Sequence, residues 1–377
     1  MRAVIVMPVA TARGGAEMQL QQLVEQRATA GLELTIAFLC DGPMVDWCRT
    51  HAVDAVVIDA ERFRNVRALT RSVKVLAELT RRQRADIVIG WMGKGQLYGG
   101  MAARVAHVPS VWLQVGLPQR TAPIDRLATL LPARSIITVS RTVDAAQREL
   151  LPKRATTVVY PAVDTERFDA ARLGATDSVR RRLCLPEDGL IFGSVGRLNS
   201  WKGFHVLLDA VPDVIAHRPD ASMVLVGGRH DLEPAYADEI HARAADLGLN
   251  GKVRLVGHQS NPEEWMQAMD VFVHTSDNEP FGMVVIEAMA LGKAVVAGAQ
   301  GGPAEIITPG VDGLLAPFGD HRALGAAILR FLDDAALRRR LGDAARRRAQ
   351  DFAVERFAER FAAALAAAIY DEPAAAS

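Results

Sequence analysis

Two short stretches carry the side chains with most chemistry to offer. Residues 279–287 read Glu-Pro-Phe-Gly-Met-Val-Val-Ile-Glu, and residues 195–203 read Val-Gly-Arg-Leu-Asn-Ser-Trp-Lys-Gly. The first sets Glu279 beside a Phe-Gly turn and Glu287 inside an apolar helix start. The second sets Arg197 and Lys202 just past an apolar run, Ile191–Val195, that should be a buried strand. An arginine can clamp a phosphate with two parallel hydrogen bonds, while a lysine acts as a mobile point charge. A carboxylate buried in the run Val284–Leu291 is costly unless it meets donors. Ribose hydroxyls would serve Glu287, and so would a buried salt bridge. Cations for a diphosphate and carboxylates for hydroxyls are together what a nucleoside-diphosphate sugar requires.

Other motifs are less specific. Gly14 and Gly15 follow the first apolar run and open a helix, where bare N–H groups admit a phosphate or a sugar; a plain tight turn uses the same residues. No Gly-x-Gly-x-x-Gly follows that run, and Gly93-Lys94-Gly95 lacks the spacing and hydroxyl of a P-loop, so dinucleotide and NTPase readings fall away. Phe281-Gly282-Met283 precedes a helix and leaves N–H groups free. Gly301-Gly302-Pro303 repeats the glycine–helix device, as a turn first and a border of the site second. The histidines show no metal-binding spacing, and there is no Asp-x-Asp. Cys40, Cys48 and Cys184 are odd in number and scattered, which argues against a disulfide framework or zinc site and suits a reducing cytoplasm.

The elements that must position these groups alternate as short apolar runs and amphipathic helices, the pattern of parallel sheets with crossover helices. Strands are expected near Val4, Leu34, Ala55, Ile87, Val111, Ile136 and Thr157, then near Ile191, Met223, Val253, Val271, Ala294 and Leu314. Helices are expected over Leu97–His107 and from Glu263, the latter with the capping-box pattern Ser260-Asn-Pro-Glu263. A chain of 377 residues suits two domains, read as 1–165 and 166–352, with a last helix in 353–377 whose Phe357, Phe361, Leu365 and Ile369 share one face. Lys/Arg and Asp/Glu balance at 44 each, which excludes wholesale nucleic-acid binding. Residues 1–165 nevertheless hold 21 basic against 14 acidic residues, so the first domain could touch an anionic membrane surface peripherally. No apolar stretch has the length of a membrane span.

The chain resembles the retaining glycosyltransferases of family 4, which have the GT-B architecture of two Rossmann-like doubly wound domains facing each other across a cleft. The matching stretches are Gly14-Gly-Ala-Glu17, Val195–Leu198 with Lys202-Gly203, Val256-Gly257, Ser276, Glu279–Gly282 through Glu287–Lys293, Gly301-Gly302 with Glu305-Ile306, and Asp312–Leu315. The resemblance implies that Arg197 and Lys202 hold the donor diphosphate and that Glu287 binds the nucleotide ribose. It implies that Glu279, with Phe281, Gly282, Met283 and Val284, contacts the transferred sugar. Gly196 would lie beside the phosphates, and the base near Val256 and His258. Gly14 and Gly15 would border the acceptor side, and the last helix would cross back to the first domain. The reaction expected is metal-independent, cofactor-free, retaining transfer from a UDP- or GDP-sugar to a glycan, lipid-linked or small-molecule hydroxyl. Many relatives carry a histidine near the reacting sugar; here Trp91–Gln96 and Trp112–Gly116 hold none, leaving Lys94, Gln96 or Gln114 for that place. That departure keeps open a non-catalytic nucleotide-sugar binder or a phosphorylase-like enzyme.

Overall fold

The structure is a computed structural model that describes residues 1–11, 14–58, 60, 65–119, 121–249 and 251–370. Each apolar run forms a strand: β1 (Arg2–Met7), β2 (Glu33–Phe38), β3 (Asp54–Val57), β4 (Ile87–Trp91), β5 (Ser110–Gln114), β6 (Ser135–Thr138), β7 (Thr156–Val158), β8 (Leu190–Val195), β9 (Ala221–Val226), β10 (Val253–Leu255), β11 (Val271–His274), β12 (Ala294–Gly298) and β13 (Leu314–Ala316). They make one seven-stranded sheet, β3-β2-β1-β4-β5-β6-β7, and one six-stranded sheet, β10-β9-β8-β11-β12-β13. Neighbouring strands in both run parallel, as in Val271 opposite Phe192 and Ala294. Helices cover both faces of a parallel sheet, which is why β4, β5, β11 and β12 are buried along their whole length. Both sheets are doubly wound, their order reversing between β1 and β4 in the first and between β8 and β11 in the second.

The chain divides into two compact units. Met1–Ala162 joins the helix that starts at Val354, and Val163–Ala353 forms the other. Within the first unit the last helix, Val354–Tyr370, buries Phe357, Phe361 and Leu365, with Phe361 6.2 Å from Trp91. Gln22 donates to the Ala162 carbonyl at 2.9 Å, fixing the end of that unit's chain. Within the second unit the Val163 N–H donates to the Phe352 carbonyl at 2.8 Å.

Two helix starts differ from expectation. The helix after β4 spans Met92–Ala106 rather than beginning at Leu97. Its glycines lower intrinsic helix propensity but let the helix lie close on the sheet: a Cβ on Gly95 would sit 2.4 Å from the Val6 carbonyl oxygen. The Pro262–Ala268 helix is capped at Asn261, not Ser260. Asn261 donates to Glu264 at 2.5 Å, while Glu263 pairs with Arg167 at 2.8 Å. Among the described residues no helix is long and apolar enough to cross a membrane.

Candidate active site

In an open parallel sheet, ligands bind beyond the carboxyl ends of the strands where the strand order reverses. In the second unit that place lies between β8 and β11, and Arg197 follows the first while Glu279 follows the second. Local geometry then stitches the two loops together. After Arg197 the chain makes a single 3₁₀ turn, Ser200–Lys202, closed by Gly203 at φ +69°. Only glycine fits there, because a Cβ would lie 2.2 Å from the Thr275 carbonyl oxygen. Thr275 donates to the Lys202 carbonyl at 2.8 Å, and the Asp277 N–H donates to the Trp201 carbonyl at 2.8 Å. The result sets the Lys202 ammonium 2.6 Å from Glu279 Oε2 and 4.1 Å over the Trp201 ring. Gly196 lies in the same place, its α-carbon facing Phe204 and the Lys202 stem. The Arg197 side chain is exposed at this carboxyl edge.

Glu279 and its neighbours form a buried charged cluster. Burial alone would push the Glu279 carboxyl up. The Lys202 ammonium and the His274 hydrogen bond outweigh it and hold the group well below the usual carboxylate range. His274 is fully enclosed, and burial lowers its pKa, so the imidazole is neutral near pH 7. Its Nε2 sits 3.2 Å from Glu279 Oε2 and 3.0 Å from Ser276 Oγ. Sequence reading missed His274. The one signal was its place at the end of β11, five residues before Glu279.

Glu287 has a contrasting environment. It lies in the Met283–Ala290 helix, is 4% exposed, and makes no ion pair among the described residues. Burial pushes its carboxyl up to about 7, with Arg167 and Lys202 pulling down and Glu263 pushing up. No salt bridge among the described residues therefore accounts for this carboxylate. Phe281 and Gly282 are buried just ahead of the helix, and Met283 and Val284 are half-buried in its first turn. Gly301 and Gly302 pack against Glu279–Phe281, where the Gly302 N–H donates to the Glu279 carbonyl at 2.8 Å. A Cβ on Gly302 would lie 2.2 Å from Phe281 Cα, so this glycine pair is the turn that shapes the Glu279 loop. Val256 is half-buried and His258 exposed beyond β10, with His258 Cβ backing onto Gly228 after β9. All these residues share the carboxyl edge of one sheet.

In the first unit, Gly14 and Gly15 stand at the start of the Gly15–Glu25 helix. The Glu17 carboxylate folds back over Gly14 and accepts from Thr11 at 2.6 Å. The positive end of that helix is therefore met by the chain's own carboxylate. Gln96 is fully enclosed, its amide lodged between Gly90 and Gly100 without a partner among the described residues. Gln114 is buried and lies 3.5 Å from Asp125, whereas Lys94 is half-buried on the helix after β4. Of the three, Lys94 alone presents a partly open side chain.

The profile of the Glycosyl transferases group 1 matches residues 176–348. Over those residues the chain is similar to the group 1 glycosyl transferases. It is 29% identical to the lipopolysaccharide core biosynthesis glycosyltransferase LpsE of Rhizobium meliloti (strain 1021) over 332 residues, covering 86% of this chain and 87% of that protein. It is 31% identical to the D-inositol 3-phosphate glycosyltransferase of Thermobispora bispora over 260 residues, 65% of this chain and 60% of that one. The chain thus spans less than two thirds of the inositol-phosphate relative. The crystal structure of Anabaena Alr3699/HepE in complex with UDP superposes with a TM-score of 0.84 at 25% identity, covering 97% of this chain and 100% of that one. The two doubly wound sheets of this chain are those of the GT-B architecture.

Proposed function

We propose that this chain is a group 1 glycosyltransferase that transfers a sugar, with retention, from a nucleoside-diphosphate sugar to an acceptor hydroxyl, without a metal ion. The observation that carries the reading is the buried Glu287, without an ion pair among the described residues, on the same strand edge as the Lys202–Glu279 cluster and Arg197. A carboxyl enclosed without a cation has a reason to persist where ribose hydroxyls donate to it. Arg197 and Lys202 lie where a diphosphate needs positive charge, and the UDP complex of the Anabaena relative supports a uridine donor as the first to try. The names of the two curated relatives offer lipopolysaccharide core and inositol phosphate as acceptor classes.

Retention without a protein nucleophile proceeds on one face of the sugar. The bond from the anomeric carbon to the phosphate oxygen breaks while the bond to the acceptor oxygen forms. The departing phosphate oxygen takes the acceptor's proton. Arg197 and Lys202 stabilise the charge that grows on that phosphate, a fixed electrostatic contribution that requires no rearrangement of water. Replacing either by alanine should lower kcat about 10²–10³-fold. Steady-state transfer from UDP-, GDP- and ADP-sugars, with the product's anomeric configuration read by NMR and with EDTA present, tests each part. Normal rates in both Arg197→Ala and Lys202→Ala would overturn the assignment, and an inverted product would overturn retention.

A further inference from the structure

We infer that His274 is a positioning residue that holds the Glu279 carboxylate in place against the transferred sugar. The inference rests on the donor reading above. Two donors meet at one oxygen: Lys202 at 2.6 Å and His274 Nε2 at 3.2 Å both reach Glu279 Oε2. The other oxygen, Oε1, carries no hydrogen bond among the described residues and is the one left for substrate hydroxyls. The two donors differ in what else is asked of them. Lys202 is a flexible ammonium, and a diphosphate carries more negative charge than a single carboxylate, so a bound donor draws it toward the phosphates. A carboxylate anchored by Lys202 alone would lose its register at the moment the sugar arrives. His274 has no such conflict, because it is enclosed and points only at Glu279 and Ser276.

The tautomer follows from the contacts. If Nε2 lacked its proton, its lone pair would face a carboxylate oxygen at 3.2 Å. The hydrogen therefore sits on Nε2 and is given to Glu279, and Nδ1 is left as an acceptor. Nδ1 is buried with no protein partner. Beside His274 lies a cavity of about 10 Å³, lined also by Val206, Thr275, Gly298 and Phe318. His274 ends the fully buried strand β11, and the next residue, Thr275, is tied to the Lys202 turn by its hydroxyl and by the close approach of Gly203.

The test compares His274→Phe, which removes the Nε2 hydrogen at similar volume, with His274→Gln, which can restore a donor at the place of Nε2. Three quantities are measured on each: calorimetric affinity for UDP and GDP, kcat and KM for transfer from the sugar nucleotide the wild type uses, and melting temperature. In His274→Phe, kcat should fall about 10–100-fold, the range found when a group that orients a functional side chain is lost. Nucleoside-diphosphate affinity should stay within about twofold, since the diphosphate and ribose do not use His274, and His274→Gln should recover most of the rate. An unchanged kcat in folded His274→Phe would overturn the inference. So would equal losses in both variants that merely track melting temperature. If the wild type itself neither binds nor transfers from any of the sugar nucleotides, the failure lies with the donor reading, and this inference falls with it.

Discussion

Glu279 and Glu287 lie eight residues apart, and both are buried, yet they hold their protons differently. Glu279 has Lys202 at 2.6 Å and is ionised; Glu287 has no ion pair among the described residues and is pushed up to about 7. The second state has a measurable consequence. On the proposed ribose role, hydroxyls donate to the carboxylate, so donor binding should favour ionised Glu287 and release its proton. With a pKa near 7, affinity for a sugar nucleotide should rise about tenfold from pH 6 to pH 8. The diphosphate of a sugar nucleotide does not itself titrate in that window. Glu287→Gln should bind more weakly and lose the pH dependence. Stability moves the other way. The folded pKa lies above the ordinary carboxyl value of 4.5, so the stabilisation is complete below about 4.5 and is lost as pH rises through about 7. Glu287→Gln should therefore melt above the wild type at pH 8 and close to it at pH 5. A wild-type affinity that is flat from pH 6 to pH 8 would refute the ribose role.

At the scale of elements, the Glu279 loop depends on close backbone approach rather than on side-chain packing. Gly302 touches Phe281, Gly301 at φ +70° faces Glu279, and Gly203 meets Thr275. Gly302→Ala places a Cβ 2.2 Å from the Phe281 backbone, so the loop must shift. Overpacking of this kind costs about 1–3 kcal/mol. Donor affinity should fall with it by at least about tenfold, since small displacements of positioning groups are costly. Gly116→Ala, in open space, is the control and should change neither quantity. The same elements show what a sequence can and cannot say. Apolar runs located all the strands to within about two residues, because buried parallel strands are continuous in Val and Ile. Arg197, Lys202, Glu279 and Glu287 were visible because charge beside an apolar strand or inside an apolar helix is out of place. His274 looked like one more residue of a strand, and its role depends on a ring direction that no spacing encodes. The helix at Met92 was hidden by glycines whose value is tertiary contact with β1. The Glu17 carboxylate over Gly14 was likewise a matter of where a side chain folds.

At the scale of the whole molecule, the chain leaves its first unit at Ala162 and returns to it at Val354. The returning helix contributes to that unit's core: Phe361 is fully buried, 5.6 Å from Phe357 and 6.2 Å from Trp91. Trp91 in turn donates to the Ala16 carbonyl at 3.2 Å, which links the last helix to the one that begins at Gly15. Truncating a buried phenylalanine costs about 3–5 kcal/mol through lost burial and the cavity left behind. Phe361→Ala should therefore weaken the first unit, although the substitution lies near the end of the chain. The residues proposed to hold the donor all reside in Val163–Ala353, whose core does not include Phe361. In scanning calorimetry the variant should show a lower-temperature transition for the first unit, separated from that of the second. A sugar nucleotide that binds only the folded second unit should raise the later transition by RT ln(1 + [L]/Kd) and leave the earlier one in place. Below both transitions, donor affinity should match the wild type. Between them, transfer to an acceptor should cease while donor binding persists if, as the resemblance implies, the first unit binds the acceptor. A single transition that shifts as one, or a loss of donor affinity in the folded variant, would refute this division of labour.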